Sequence, residues 1–322
     1  MSDRERPTER QVRRLLVALA IGVTSATLAA ALTPLHPLFE LFSHLRHWYA
    51  AGGLVAAADL FYLERPRLAA PAAAALTWNL WFIVPWYVGG SPATCPSGVE
   101  LRVLSANVLK SNADAEPIRR LVDRQDPDIV VLSEYSRGLQ RRLPDLRSDY
   151  PHRFEETRGH LSGVAIFSRH PLSETRLEDF DAEGPPQLHT TVTLDGRTLD
   201  LWGIHPLPPV TPRLMVERDK ALDGVGGAIA KSTHPVVAVG DLNTTMWSPV
   251  YRRLTAQDLR NARRGRGLKG SWPAIPLFPL KLPIDHILHT PDLTATSFSV
   301  GPSVGSDHLP VMADICLPKP GS

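Results

Sequence analysis

Several short apolar runs in this chain end in groups that can do chemistry. LSANVL carries Asn107, VVLSEY carries Glu134 and GIHP carries His205. VGDLNT carries Asp241 and Asn243, PIDHIL carries Asp285 with His286, and GSDHLPV carries Asp307 with His308. A single acid at the end of a buried strand reads as a satisfied capping group, because burying it unpaired costs several kcal/mol, on the order of the penalty for an unpaired buried charge. Several strands converging on the same pattern read as a site. Asn107, Glu134 and Asp307 are hard oxygen donors with no cysteine nearby, a set that suits Mg²⁺ or Mn²⁺ rather than structural zinc. An Asp–His pair orients an imidazole and raises its pKa. A bound cation, a cationic histidine and a spare carboxylate to deprotonate water are what attack on a phosphate requires.

The elements that must hold these groups are short β-branched runs alternating with helical patterns from Leu101 onward. Strands are expected at LRVLSANVL, DIVVLSEY, GVAIFSR, PVVAVGDL, IDHILHT and VMADICL. HTTVTL and RTLDLWGIH flank Asp195-Gly196, a strong hairpin signal. Helices are expected after Asp114, from about Pro212 to Lys231, and near Pro249. Strands interleaved with helices and closed by hairpins imply a mixed-sheet, layered α/β domain.

The first third is different. A tail over residues 1–14 carries five arginines, and no charge follows between Leu15 and Leu35. Further apolar segments run over about 48–63 and 68–90, giving a transmembrane region of about three helices within residues 15–90. Trp78, Trp81 and Trp86 gather towards one end of the third, as an interfacial aromatic belt does. A cleaved signal peptide followed by ordinary buried helices is the alternative. The arginine-rich tail, with Arg65 and Arg67 between the second and third segments, outweighs the lone Arg46 between the first and second. The positive-inside rule therefore puts the tail in the cytoplasm and, after three spans, the rest of the chain outside. SPATCPSG, residues 91–98, is the linker to a domain over residues 99–318. The net charge of +2 argues against a strongly basic nucleic-acid binder, and two cysteines are too few for a disulfide scaffold or a cysteine zinc site.

The quoted motifs, in this order over about residues 99–317, resemble the endonuclease/exonuclease/phosphatase superfamily of DNase I-like nucleases, inositol-phosphate phosphatases and sphingomyelinases. GDLN and SDH at this separation, with IDH between them, are specific together and weak singly. The resemblance implies a four-layered α/β sandwich (DNase I-like) behind the all-α transmembrane region. It also implies roles: Glu134 as chief metal ligand with Asn107 and Asp307, Asp241 as base for the attacking water, and Asn243 and His205 on phosphate oxygens. His308, oriented by Asp285, would stabilise the phosphoryl charge. Ser133 stands where glutamine is common, Leu109 replaces an acid found in some nucleases, and Pro206 follows His205 directly. The first two departures distance the chain from the DNA-repair branch.

His286 is read as structural, and His152, His160, His170 and His189 as surface or capping residues. Arg260, Arg263, Arg264, Arg266 and Lys269, followed by Trp272 and PAIPLFPLKLP, are read either as a solvated loop or as a loop gripping phosphates over the site. With membrane spans in front, the chain resembles the membrane-anchored phosphatases of the superfamily. That implies a multi-pass protein of the cell membrane acting outside it, with Mg²⁺, on a lipid-linked phosphate or pyrophosphate such as undecaprenyl pyrophosphate, in cell-wall antibiotic resistance. A membrane-tethered nuclease and a phospholipase C-like phosphodiesterase are the competing enzymes. In the implied fold the first and last strands are antiparallel neighbours, so a Cys95–Cys316 disulfide is expected outside the membrane.

Overall fold

The computed structural model describes residues 7–90, 94–95, 98–157, 163–276 and 281–318. Arg4 and Arg6 of the tail, most of the 91–98 linker, His160 and residues 277–280 of the apolar run lie outside them. The chain forms two compact units, Met1–Pro85 with Trp247–Pro249, and Trp86–Met246 with Val250–Ser322.

The first unit is helical: α1 (Pro7–Ala31), a short α2 (Glu40–Ser43), α3 (Arg46–Tyr62) and α4 (Pro66–Ile83). Two stretches, Thr8–Ala31 and Pro66–Trp86, are long and apolar enough to cross a membrane. The expected middle span is a helix of 17 residues. The expected third span is α-helical only to Ile83, passing into a 3₁₀ turn around Pro85, which has no N–H to continue the ladder. Alanines dominate the inside and most large side chains face out: Ala20, Ala56 and Ala72 are buried with Leu16 and Leu60, while Leu15, Ile21, Leu28 and Trp81 are 60–77% exposed. Asn79, fully buried, donates to Thr27 Oγ1 (2.8 Å), pinning α4 to α1.

The second unit holds β1 (Gly98–Asn107), α5 (Glu116–Gln125), β2 (Ile129–Ser133), α6 (Arg137–Gln140), α7 (Pro144–Asp149), β3 (His152–Glu156), β4 (Val164–Ser168) and β5 (Leu172–Glu178). These are followed by β6 (Gln187–Leu194), β7 (Arg197–Ile204), α8 (Pro212–Ile229), β8 (Val236–Asp241), α9 (Pro249–Thr255) and β9 (Arg260–Asn261). β10 (Asp285–His289), β11 (Thr294–Ala295), β12 (Ser299–Val300) and β13 (Val311–Pro318) complete it. They build two sheets, ordered β11-β13-β1-β2-β4-β3, with β12 on β13, and β5-β6-β7-β8-β10-β9. Leu101, Val103, Ile129 and Val131 of the first share one core with Leu199, Leu201, Val237 and Val239 of the second. The alternate residues Leu104, Ala106, Val130 and Leu132 pack instead with Ile118, Leu121 and Val122 of α5. Strands covered on both faces read as unbroken apolar runs, and the architecture is the expected α/β sandwich of two sheets flanked by helices.

β6 and β7 form the expected hairpin, with Leu194 opposite Arg197 and positive φ at Asp195 and Gly196, as a two-residue primed turn requires. β3 and β5 were not expected from sequence. Each lies at the end of its sheet, where charged residues such as those of HRFEE and LSETRLE blunt an open edge and erase the apolar signature.

β1 and β13 are antiparallel with Glu100 opposite Cys316, and Cys316 is bonded to Cys95 across a Cα–Cα distance of 5.6 Å. The bond closes 221 residues of chain, worth about 5 kcal/mol in the chain-entropy account. Reducing it, or Cys95→Ser, is expected to lower the denaturant midpoint of the sandwich unit and free a labelable thiol at Cys316. An unchanged midpoint would mean that the bond adds nothing to stability.

Candidate active site

Strand register assembles the site. β1 runs parallel to β2 with Asn107 opposite Ser133, so Glu134 follows at the strand end beside it. β7 runs parallel to β8 with Ile204 opposite Gly240, so His205 and Asp241 leave the sheet together. β10 runs antiparallel to β8 with Asp285 opposite Asp241. Gly240 is obligatory here: it has φ 143°, and a Cβ on it would lie 1.9 Å from Ile204 O. Glu134 and Asn243 both sit at positive φ (57° and 49°), a cost non-glycine residues bear at functional positions when surrounding structure enforces it.

Asn107 Nδ2 bridges two carboxylates, donating to Glu134 Oε1 at 2.9 Å and Asp241 Oδ2 at 3.2 Å. His205 Nε2 lies between the same two, 3.8 Å from Glu134 Oε1 and 3.7 Å from Asp241 Oδ2. His308 Nδ1 is 2.9 Å from Asp285 Oδ2, while its Nε2 is 3.5 Å from Asp241 Oδ2. The Asn243 N–H donates to Asp241 Oδ1 (2.9 Å), but its side-chain amide donates to Pro206 O (3.0 Å). The expected site residues Asn107, Glu134, His205, Asp241, Asp285 and His308 therefore meet. Asp307 stands exposed at the edge, accepting from Trp272 Nε1 at 3.2 Å.

Burial alone would lower the His308 pKa, but Asp241 and Asp285 outweigh it and hold it up to about 10, so the imidazole is a cation at neutral pH. Burial disfavours the Asp285 carboxylate too, yet His308 and the Ser271 hydroxyl keep its pKa below the usual range. Asp241 is pushed above the usual range by burial and by the nearby Asp285 charge, against the pull of His308 and His205. Partial burial works against Glu134, but the Lys110 N–H, Asn107 and the two histidines prevail and keep it ionised. Two buried carboxylates in different states, one firmly ionised and one basic, are the pairing that acid–base chemistry uses.

One oxygen or nitrogen each from Asp241, Asp285 and His308 lies within 4.8 Å of the others, close enough for a metal. These atoms already serve one another, however, and a cationic imidazole repels a second cation. Glu134 fits a hard cation better: it is ionised, half-buried and open towards solvent. Asn107 presents its donor nitrogen to the carboxylates and its Oδ1 to Leu109 N (3.1 Å), so ligation through oxygen requires its amide to turn over.

His286 is structural as expected, held between Asn261 and Thr244 O and pushed down to about 3 by burial. His189 is neither surface nor cap but a buried histidine packed against Trp202 at a tilt, 4.7 Å between centroids. Three of the five basic side chains of the loop are tied to backbone carbonyls. Arg263 is fully buried and donates to Leu268 O, Lys269 O and Asp285 O; Arg266 holds Ala295 O and Lys269 holds Phe298 O. Carbonyls of an irregular buried segment need donors, and these side chains supply them. Arg260 and Arg264 remain exposed. Sequence reading missed Ser271, whose Oγ accepts Asp285 N–H (3.2 Å) and whose O accepts Leu309 N–H (2.8 Å). It also missed Gln187, which accepts His205 N–H at 2.7 Å. Neither stands in a recognisable motif.

The profile of the endonuclease/exonuclease/phosphatase family matches residues 76–308, and the chain belongs to that family. Its members are phosphoesterases and nucleases that generally depend on a divalent metal, which makes this chain a hydrolase. Among solved structures it is similar to an endonuclease/exonuclease/phosphatase from Beutenbergia cavernae (20% identity, TM-score 0.57, 68% of this chain and 72% of that one). It is also similar to D. rerio TDP2 complexed with single-strand DNA product (18%, 0.58, 67% and 98%) and to beta toxin from Staphylococcus aureus (15%, 0.53, 66% and 99%). No curated protein sequence matches the chain.

Asp241→Asn and His308→Ala are each expected to lower kcat by about 10²–10⁴-fold, the range for acid–base and electrostatic groups, with near-normal turnover refuting the assignment. The raised His308 pKa also sets a stability window. Its contribution is fully present below the unfolded value near 6.5 and is lost as pH rises through about 10. The gap in unfolding midpoint between wild type and His308→Gln should therefore narrow from pH 6 to pH 10.5; a gap that widens would reverse the sign.

Proposed function

We propose that the chain is a membrane-anchored, extracytoplasmic, Mg²⁺-dependent phosphatase of a lipid-linked phosphate or pyrophosphate. The observation that carries the chemistry is the buried Asp285–His308–Asp241 row. Asp241, fixed through Oδ1 by Asn243 N–H, takes a proton from water at Oδ2. The water oxygen bonds to phosphorus as the bond to the leaving oxygen breaks. The His308 cation, aligned by Asp285, faces the charge that gathers on the phosphoryl oxygens. Glu134 with Asp307 would hold a hard divalent cation, whose contribution when bound is neutralisation of phosphate charge.

The membrane part of the reading rests on the helical unit. Large apolar side chains outside and alanines inside is the packing expected in lipid, where association depends on close helix contact rather than on hiding apolar surface. In water the same exposure would be an aggregation liability. The arginine bias supports a cytoplasmic tail. The linker would keep the hydrolase near the headgroups. A nuclease would use the same catalytic groups, but Arg263, Arg266 and Lys269 are engaged on carbonyls rather than free for a polyanion.

The full chain with Mg²⁺ should release phosphate from undecaprenyl pyrophosphate far faster than it cleaves plasmid DNA or a choline phospholipid. Comparable DNA cleavage would sink the proposal in favour of the nuclease. A reporter that fluoresces only in the cytoplasm, fused after Ser322, should be dark; a bright signal would overturn the orientation.

A further inference from the structure

We propose that Arg218 of α8 is a positioning residue for the hydrolysis: it fixes the backbone of Asn243 and, through it, the carboxylate of Asp241, an inference that rests on reading Asp241 as the base. The helix itself marks the residue out. α8 is capped by Thr211, whose side chain accepts Leu214 N–H, and it buries Met215, Leu222, Val225 and Ile229 along one stripe. Arg218 stands in that stripe, three residues after Met215 and four before Leu222, and is fully buried. A guanidinium in an apolar position is costly unless its donors are matched.

Its partners show what the arginine holds. Nε and Nη2 donate to Asp219 Oδ1 at 2.9 and 2.6 Å, and Nη1 donates to Asn243 O at 3.3 Å. Asp219 Oδ2 accepts from Arg253 of α9 (3.1 Å), which also meets both carboxylate oxygens of Asp223 (2.8 and 3.0 Å). One side of the guanidinium is thus fixed by an acid tied to α9, while another N–H reaches the loop that follows β8. Leu242, Thr244, Thr245 and Ser248 of that loop are buried, so its carbonyls need donors from the protein. His286 Nε2 lies 2.9 Å from Thr244 O, and Arg218 serves Asn243 O.

Asn243 is where this support meets the chemistry. Its N–H donates to Asp241 Oδ1 (2.9 Å), its side-chain amide donates to Pro206 O (3.0 Å) directly after His205, and its backbone sits at φ 49°. That conformation is costly for a residue with a Cβ and persists only where its surroundings impose it. The bonds to Asp241 and Pro206 lie within the site, whereas the bond from Arg218 ties Asn243 to a helix outside it. Loosening that tie lets the Asn243 backbone relax, and the Asp241 carboxylate turns with it. Misplacing a reacting group by about 1 Å costs on the order of 10²-fold in rate.

Arg218→Met keeps the apolar length of the side chain and removes its donors. Full-length protein with Mg²⁺ would be assayed on whichever of undecaprenyl pyrophosphate, plasmid DNA and a choline phospholipid it turns over. The substitution should lower kcat by about 10–10²-fold and leave KM within about twofold, because Arg218 does not meet the substrate. Partial unfolding would give the same pattern, so the deciding measurement is a double-mutant cycle with Asp241→Asn. Acting through the base, Arg218→Met should cost no further rate in the Asp241→Asn background. The same loss in both backgrounds would show a merely structural residue and overturn the inference. Arg218→Lys retains a donor for Asn243 O and should recover most of kcat; a lysine variant as slow as the methionine one would also overturn it. If Arg218→Met does not fold, Asp219→Ala, which removes the acid that fixes the guanidinium, takes its place in the cycle with the same expected outcome. Hydrogen exchange reads the loop without turnover: the Asn243 amide should exchange about tenfold or more faster in the Arg218 or Asp219 variant than in wild type, and equal exchange would refute the tie. Near-normal kcat in Asp241→Asn alone would remove the base reading, whereas a slowed Asp241→Asn beside an unimpaired Arg218→Met would remove only the inference.

Discussion

Asp241 and Asp285 face each other across the β8–β10 pair, each almost completely buried, and such a pair is tolerable only with a cation against it. His308 is that cation, bonded to one and close to the other. Much of the surrounding structure serves this cluster. Ser271 and Arg263 hold the backbone of Asp285, Ser306 Oγ accepts the N–H of His308, and Gly240 lets β7 and β8 approach closely enough to bring His205 alongside. Electrostatics and backbone geometry cannot be separated here. A shift of one strand by one residue would point the acids into the apolar core, where nothing could pair them.

The two units follow opposite packing rules. Branched side chains fill the space between the sheets, while the helical unit turns most of its large residues outward and closes on alanines with Leu16 and Leu60. A chain so divided has a mean composition that resembles an ordinary soluble protein, which describes neither unit.

Residues with strong local reasons for their conformation were legible in the sequence. The continuous runs of β1, β2 and β8 announced strands covered on both faces, and their polar ends announced where those strands leave the core. Asp195-Gly196 announced its hairpin. Asp114 lies just before α5 and accepts Glu116 N–H, close to its expected capping role. What stayed hidden depends on distant partners. β3 and β5 look polar because they lie at sheet edges. Arg263 reads as a surface charge until its carbonyl partners are known, and His189 reads as exposed until Trp202 is packed against it. The candidate site residues follow from motif order, whereas Ser271 and Gln187 carry no local pattern.

The central claim is that Asp285, His308 and Asp241 act as one unit rather than as three independent groups. A double-mutant cycle on kcat tests this directly, using Asp285→Asn, His308→Ala and the double variant with saturating Mg²⁺. The account predicts strong non-additivity: once His308 is gone, removing the Asp285 charge should cost little more, so the double variant resembles the worse single. Rate losses that simply multiply would show that Asp285 acts elsewhere than through His308 and would contradict the account.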